Sequence, residues 1–179
     1  GLAAAVSGGK IYAFGGYGKP SGYTARYLVT VEVYDPANLT WSNAPSMKEA
    51  RYGLAATSTS TGLIYLIGGK NASSQLPSNN EEYNPSAGTS TYIAGLPSGQ
   101  RSELAAISIT QQEDVLYALG GGNMWTPSAS LEAGTLSDLP EITPTPTPDI
   151  LPPSTITDLA SSSGCGNGSI LLTWSAPGD

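Results

Sequence analysis

Along the first 140 positions the apolar residues fall in short runs separated by glycine-rich and polar turns. The clearest are IYAF (Ile11 to Phe14), LIYLI (Leu63 to Ile67) and VLYAL (Val115 to Leu119), each containing a tyrosine and each followed by a diglycine. A continuous apolar run of this length, rather than an alternating one, reads as a strand covered on both faces. Ahead of each lies a strand of small residues: GLAAAV from Gly1, GLAAT from Gly53 and ELAAI from Glu103. The diglycines Gly15-Gly16, Gly68-Gly69 and Gly120-Gly121 stand 53 and then 52 residues apart. Paired glycines at a strand end supply positive φ or let another backbone approach closely.

An all-β repeat of roughly 50 residues predicts the blades of a β-propeller, in which a crowded innermost strand needs small side chains. The expected blades cover about 1–47, 48–98 and 99–140, the third one strand short. In the first, GLAAAVSG, KIYAFGG, LVTVEVYDP and TWSNAP are the four strands. Between its second and third strands runs a long loop, GYGKPSGYTARY, carrying Tyr17, Tyr23, Arg26 and Tyr27. Loops of that length in a compact blade are often functional. The equivalent loop of the second repeat, KNASSQLPSNN, is polar and turn-rich.

Beyond the repeats the composition changes. Residues 141–153, EITPTPTPDILPP, read as an extended polyproline-like linker, because each proline fixes φ and restricts its predecessor. The chain starts and stops inside apparent strands, and is read as a piece of a longer, multidomain protein. With three blades alone, two apolar faces are expected to lie open.

Charge and chemistry narrow the function. Seven basic against fourteen acidic residues give a net charge of −7, and no Lys or Arg follows Arg101. That balance argues against nucleic acid or an anionic membrane as partner. No apolar run approaches the ~20 residues of a spanning helix, so no membrane insertion is expected. Histidine is absent and Cys165 is the single cysteine, which removes the usual general base and the commonest transition-metal ligands. No cofactor, metal site or catalytic residue is expected in this stretch. Glu81-Glu82 and Glu113-Asp114 are sequence neighbours, which on a strand point to opposite faces and cannot work as an acid/base couple.

These residues resemble the kelch repeat. The first repeat has Gly15-Gly16, Tyr34-Asp35-Pro36, Trp41 and Ala44-Pro45. The second has Gly68-Gly69 and Tyr83-Asn84-Pro85, with Tyr92 where the tryptophan would be; the third keeps the glycines and little else. The resemblance implies a kelch-type propeller fragment over about 1–140, with Trp41 covering a contact between blades. It also implies that Arg51 and Arg101, just ahead of the inner strands, lie on the rim of the central channel with Tyr52 and Ser102 and meet an acidic partner. Residues 154–179 resemble the start of a fibronectin type III module through Ile156 to Leu159 (ITDL) and Ile170 to Pro177 (ILLTWSAP), which implies a truncated β-sandwich with Trp174 in its core. The pairing of modules and the Pro/Thr spacer imply a secreted or cell-surface binding or adhesion module that recognises a protein or glycan through its loop face. The alternative is a non-catalytic portion of a propeller-containing carbohydrate-active enzyme or oxidase whose active site lies elsewhere.

Overall fold

The computed structural model describes residues 1–19, 24–110, 114–123, 127–128 and 130–135, together with the backbone of 160–163 and 170–173. The chain divides into two compact units, Gly1–Pro144 and Thr145–Asp179. All regular structure among the described residues is β. Tyr23, the linker 141–153, Cys165 and Trp174 lie outside the described residues.

In the first unit a four-stranded antiparallel sheet joins β1 (Ala3–Ser7), β2 (Lys10–Phe14), β5 (Val31–Asp35) and β6 (Thr40–Ala44) in that order. The loop between β2 and β5 folds into a small ribbon of β3 (Tyr17–Gly18) against β4 (Arg26–Tyr27). A second four-stranded sheet contains β7 (Tyr52–Ser58), β8 (Ile64–Lys70), β9 (Asn79–Asn84) and β10 (Thr89–Ala94), again in chain order. A third joins β11 (Ala105–Thr110), β12 (Asp114–Leu119) and β13 (Leu131–Thr135). The innermost strand β7 lies against both β1 and β11. In the second unit β14 (Ala160–Ser163) pairs antiparallel with β15 (Ile170–Thr173). One hairpin does not make a sandwich.

The continuous apolar run of β8 has a direct reason. Ile64 and Leu66 pack with Phe14, Val31, Met47 and Tyr83 between the first and second sheets. Their neighbours Tyr65 and Ile67 point the other way, onto Leu96, Leu116 and Ala118 between the second and third. Both faces of the strand are core, and Ile64 to Gly69 are all buried. In β2, whose sheet has a described neighbour on one side only, Lys10 and Ile11 are exposed. Phe14 meets Tyr83 edge-on at 5.2 Å, and the Tyr83 hydroxyl donates across to the Pro45 carbonyl at 3.0 Å.

The diglycines join one sheet to the next. Gly15 and Gly16 have φ of 62° and 93°, and Gly68 and Gly69 have 66° and 87°. The second glycine N–H of each pair donates to an arginine carbonyl of the following sheet: Gly16 to Arg51 and Gly69 to Arg101, both at 2.8 Å. A Cβ on Gly68 would lie 2.2 Å from the Arg101 carbonyl oxygen, and one on Gly15 2.5 Å from that of Arg51. Glycine is therefore needed twice over, for its conformation and for the space.

Trp41 packs against Tyr34, its cross-strand partner, on the side of the first sheet that has no described neighbour, and is 62% exposed there. One expectation about the outer strand changes: Tyr92 does not hold the tryptophan's place in the second sheet. Tyr34 faces Trp41 whereas Tyr83 faces Ser90, so Ser90 holds the tryptophan's place. The two turns have the same length and closure, with Asp35 and Asn84 each accepting backbone N–H groups of the turn, which moves Tyr92 two residues further along.

Candidate functional site

The loop ends of the first two sheets gather three tyrosines. Pairing of β3 with β4 sets Tyr17 opposite Tyr27, and their rings meet edge to face with centroids 5.7 Å apart. Tyr27 then stacks on Tyr52, at the start of β7, at 5.4 Å and 15°. Its hydroxyl lies 3.3 Å from that of Ser74, in the equivalent loop of the second sheet. Tyr17 is 59% exposed. Tyr52 is the cross-strand partner of Lys70, and Lys70 lines an open groove with Ser102, Glu103, Gly121, Asn123 and Pro127. The tyrosine stack and the groove are thus contiguous.

Of the four residues singled out from sequence, Tyr52 belongs to this stack and Ser102 to the groove. Ser102 is buried, and its backbone N–H and carbonyl both pair with Gly122. The arginines are differently placed. Arg51 is 0% exposed. Its Nε donates to Glu81 Oε1 at 3.0 Å, Nη1 to the Gly68 carbonyl at 2.9 Å and Nη2 to Asn79 Oδ1 at 2.9 Å, with Glu49 Oε2 3.6 Å away. Glu81 spends its second oxygen on the Lys48 N–H and the Ser90 hydroxyl. Arg101 is also buried, its Nη1 2.8 Å from Glu132 Oε1. Glu132 in turn accepts from Ser98. Among the described residues the Arg101 Nε and Nη2 find no hydrogen-bond partner. A fully satisfied guanidinium such as Arg51 ties its own sheet together rather than facing outward.

The carboxylates that hold these arginines were not recognised in the sequence, although they too recur. Tyr12, Tyr65 and Tyr117 each precede their diglycine by three residues, and they pair with Val33, Glu82 and Ala133. Glu32, Glu81 and Glu132, one residue earlier on each third strand, are therefore equivalent. They stand 49 and 51 residues apart, the spacing of the diglycines within a few residues, and that spacing is the signal. Glu81 and its neighbour Glu82 do part to opposite faces, Glu82 accepting the Tyr65 hydroxyl at 2.7 Å. Burial, then that carboxylate, raises the Tyr65 pKa. Burial likewise raises that of Tyr83.

Residues 1–48 match the Kelch motif. The solved structure of YjhT superposes over 83% of this chain with a TM-score of 0.69 at 16% identity. The sheets have the fold of propeller blades, and the first of them carries the Kelch motif. The chain spans 53% of the length of YjhT. No curated protein sequence matches it. Within the propeller, the Tyr17–Tyr27–Tyr52 stack occupies the loop side of the first two blades, beside the diglycines.

Proposed function

We propose that this propeller is a binding module whose loop face recognises a protein or glycan, carried on a secreted or cell-surface protein. The observation that carries the reading is the stack of Tyr17, Tyr27 and Tyr52. Tyrosine offers rigid, flat apolar area with a hydroxyl at its edge and only two side-chain torsions to fix, which suits stacking on a sugar ring or an apolar side chain. The adjoining groove adds one ammonium, from Lys70, and the Glu103 carboxylate. Arg51 contributes to this face through its carbonyl and to the interior through its guanidinium, so selectivity for an acidic group falls to Lys70. The Pro/Thr-rich 141–153 acts as the spacer, and 154–179 begin a fibronectin type III-like module, a reading supported by the antiparallel pairing of β14 with β15.

The test is an array of immobilised oligosaccharides and peptides probed with the chain and with its Tyr17→Ala, Tyr27→Ala double variant. Each aromatic contact contributes about 0.5–1.5 kcal/mol, so the double variant is expected to lose roughly tenfold or more in affinity for whichever probe the chain retains. Retention of no probe, or of one whose binding the double variant leaves unchanged, contradicts the proposal.

A further inference from the structure

Glu103 stands where the backbone calls for glycine. It is the equivalent of Gly53 ahead of the inner strand, and both have positive φ, 57° and 66°. Each donates its N–H one blade back: Gly53 to the Gly1 carbonyl at 2.8 Å and Glu103 to the Gly53 carbonyl at 2.7 Å. A side chain in this conformation carries strain that glycine avoids. The glutamate is nevertheless exposed, and neither it nor Lys70 forms an ion pair among the described residues. Strain held without a contact that offsets it points to a residue kept for function.

The carboxylate reaches back along the loop face. A Cβ on Gly53 would lie 2.5 Å from Glu103 Oε1, so the bare backbone of Gly53 makes room for that oxygen next to Tyr52. Lys70, the last residue of β8, and Ser102, Gly121 and Asn123 of the third sheet border the same open groove, of about 410 Å³. Both of its walls belong to this chain, one from the second blade and one from the third.

We infer that Glu103 fits this groove to a sugar, its two carboxylate oxygens accepting the hydroxyls of a vicinal diol while Lys70 donates to a neighbouring ligand oxygen. The inference rests on the loop-face reading and narrows its ligand to a glycan. A cationic side chain would gain at Glu103 but meet the ammonium of Lys70 in the same groove. A polyol supplies donors to the one and acceptors to the other, and the apolar face of its ring suits the tyrosines alongside.

The experiment titrates the chain, Glu103→Gly, Glu103→Gln and the Tyr17→Ala, Tyr27→Ala double variant with the methyl glycosides of glucose, galactose, mannose and xylose, and with acetyl-lysine methylamide as a cationic control. Binding is followed by NMR and stability by chemical denaturation. At least one glycoside is expected to bind. Glu103→Gly should weaken it roughly tenfold or more and raise the folding equilibrium constant by up to about fivefold, because the strain leaves with the side chain. Glu103→Gln keeps the strain, so stability should hold while binding falls roughly tenfold as a charged acceptor becomes a neutral one. A glycoside that both Glu103 variants bind as well as the parent, but the tyrosine variant does not, overturns the role of Glu103 and leaves the loop-face reading standing. Loss in the Glu103 variants alone supports the groove and contradicts the tyrosine stack. Binding of only the lysine probe, or of no probe, overturns the sugar assignment, and lowered stability of Glu103→Gly overturns it in favour of a structural glutamate.

Discussion

The first and second blades have the same strand order, turn lengths and diglycine geometry, yet opposite chemistry at their loop ends. In the second blade the polar groups are used up internally. Glu81 is buried against Arg51, the Asn80 side chain bonds the Gly68 N–H and the Ala94 carbonyl, and Asn71 closes its own loop through the Ser73 and Gln75 N–H groups. In the first blade Glu32 is exposed, valine stands at position 31 in place of Asn80, and the loop is a ribbon that presents Tyr17. The same backbone is thus covered on both faces in the second blade and has a described neighbour on one side only in the first.

The sharpest way to break the comparison is to remove one partner of the sealed pair. Glu81→Leu strands a buried guanidinium and should cost about 3–5 kcal/mol, whereas Glu32→Leu should change stability by less than about 0.5 kcal/mol. Chemical denaturation of both variants checks this, and equal losses would erase the distinction. Next in size is Gly68→Ala, which combines a positive φ with a clash against the Arg101 carbonyl and should cost about 2–3 kcal/mol or more. Gly9→Ala has positive φ but no atom within 4 Å of the added carbon, so only the conformational cost of about 1 kcal/mol remains.

A pH titration sharpens the contacts between blades. Hydrogen bonds from Thr110 and then Ser60 hold the Asp114 carboxyl below its ordinary value of 3.8, and the Ser60 hydroxyl reaches it from the preceding blade at 2.7 Å. A depressed folded-state pKa stabilises above the unfolded value and is lost as pH falls through the folded one. Stability should accordingly decline on acidification below about pH 4, and Asp114→Asn should flatten that decline. The smallest effect concerns a turn. Leu39 has φ of 56° where the second blade has Gly88 at 63°, and Leu39 is exposed. Leu39→Gly should raise stability by up to about 1 kcal/mol, seen as a higher denaturation midpoint.

Much of the architecture is written locally and so was legible. The runs IYAF, LIYLI and VLYAL marked the second strands, because a strand covered on both faces has no polar positions to spare. The diglycines marked the junctions, because no other residue combines their φ with the approach of the next arginine carbonyl. The site was less legible. Arg51 and Arg101 were visible as a repeated feature, but a lone sequence does not say whether a guanidinium points outward, and the deciding acceptor, Glu81, lies 30 residues away on another strand. The tyrosine stack was hidden for a similar reason: Tyr27 and Tyr52 meet only because two blades sit side by side.

The loop-face account is tested most directly by NMR of the chain with its ten tyrosines labelled with ¹³C in the ring, titrated with whichever array probe it retains. The account predicts that the Tyr17, Tyr27 and Tyr52 signals shift together and saturably, while those of the buried Tyr65 and Tyr83 stay in place. Saturable binding that moves Tyr34 on β5 or Tyr92 on β10, and leaves Tyr17 and Tyr27 unmoved, would contradict it.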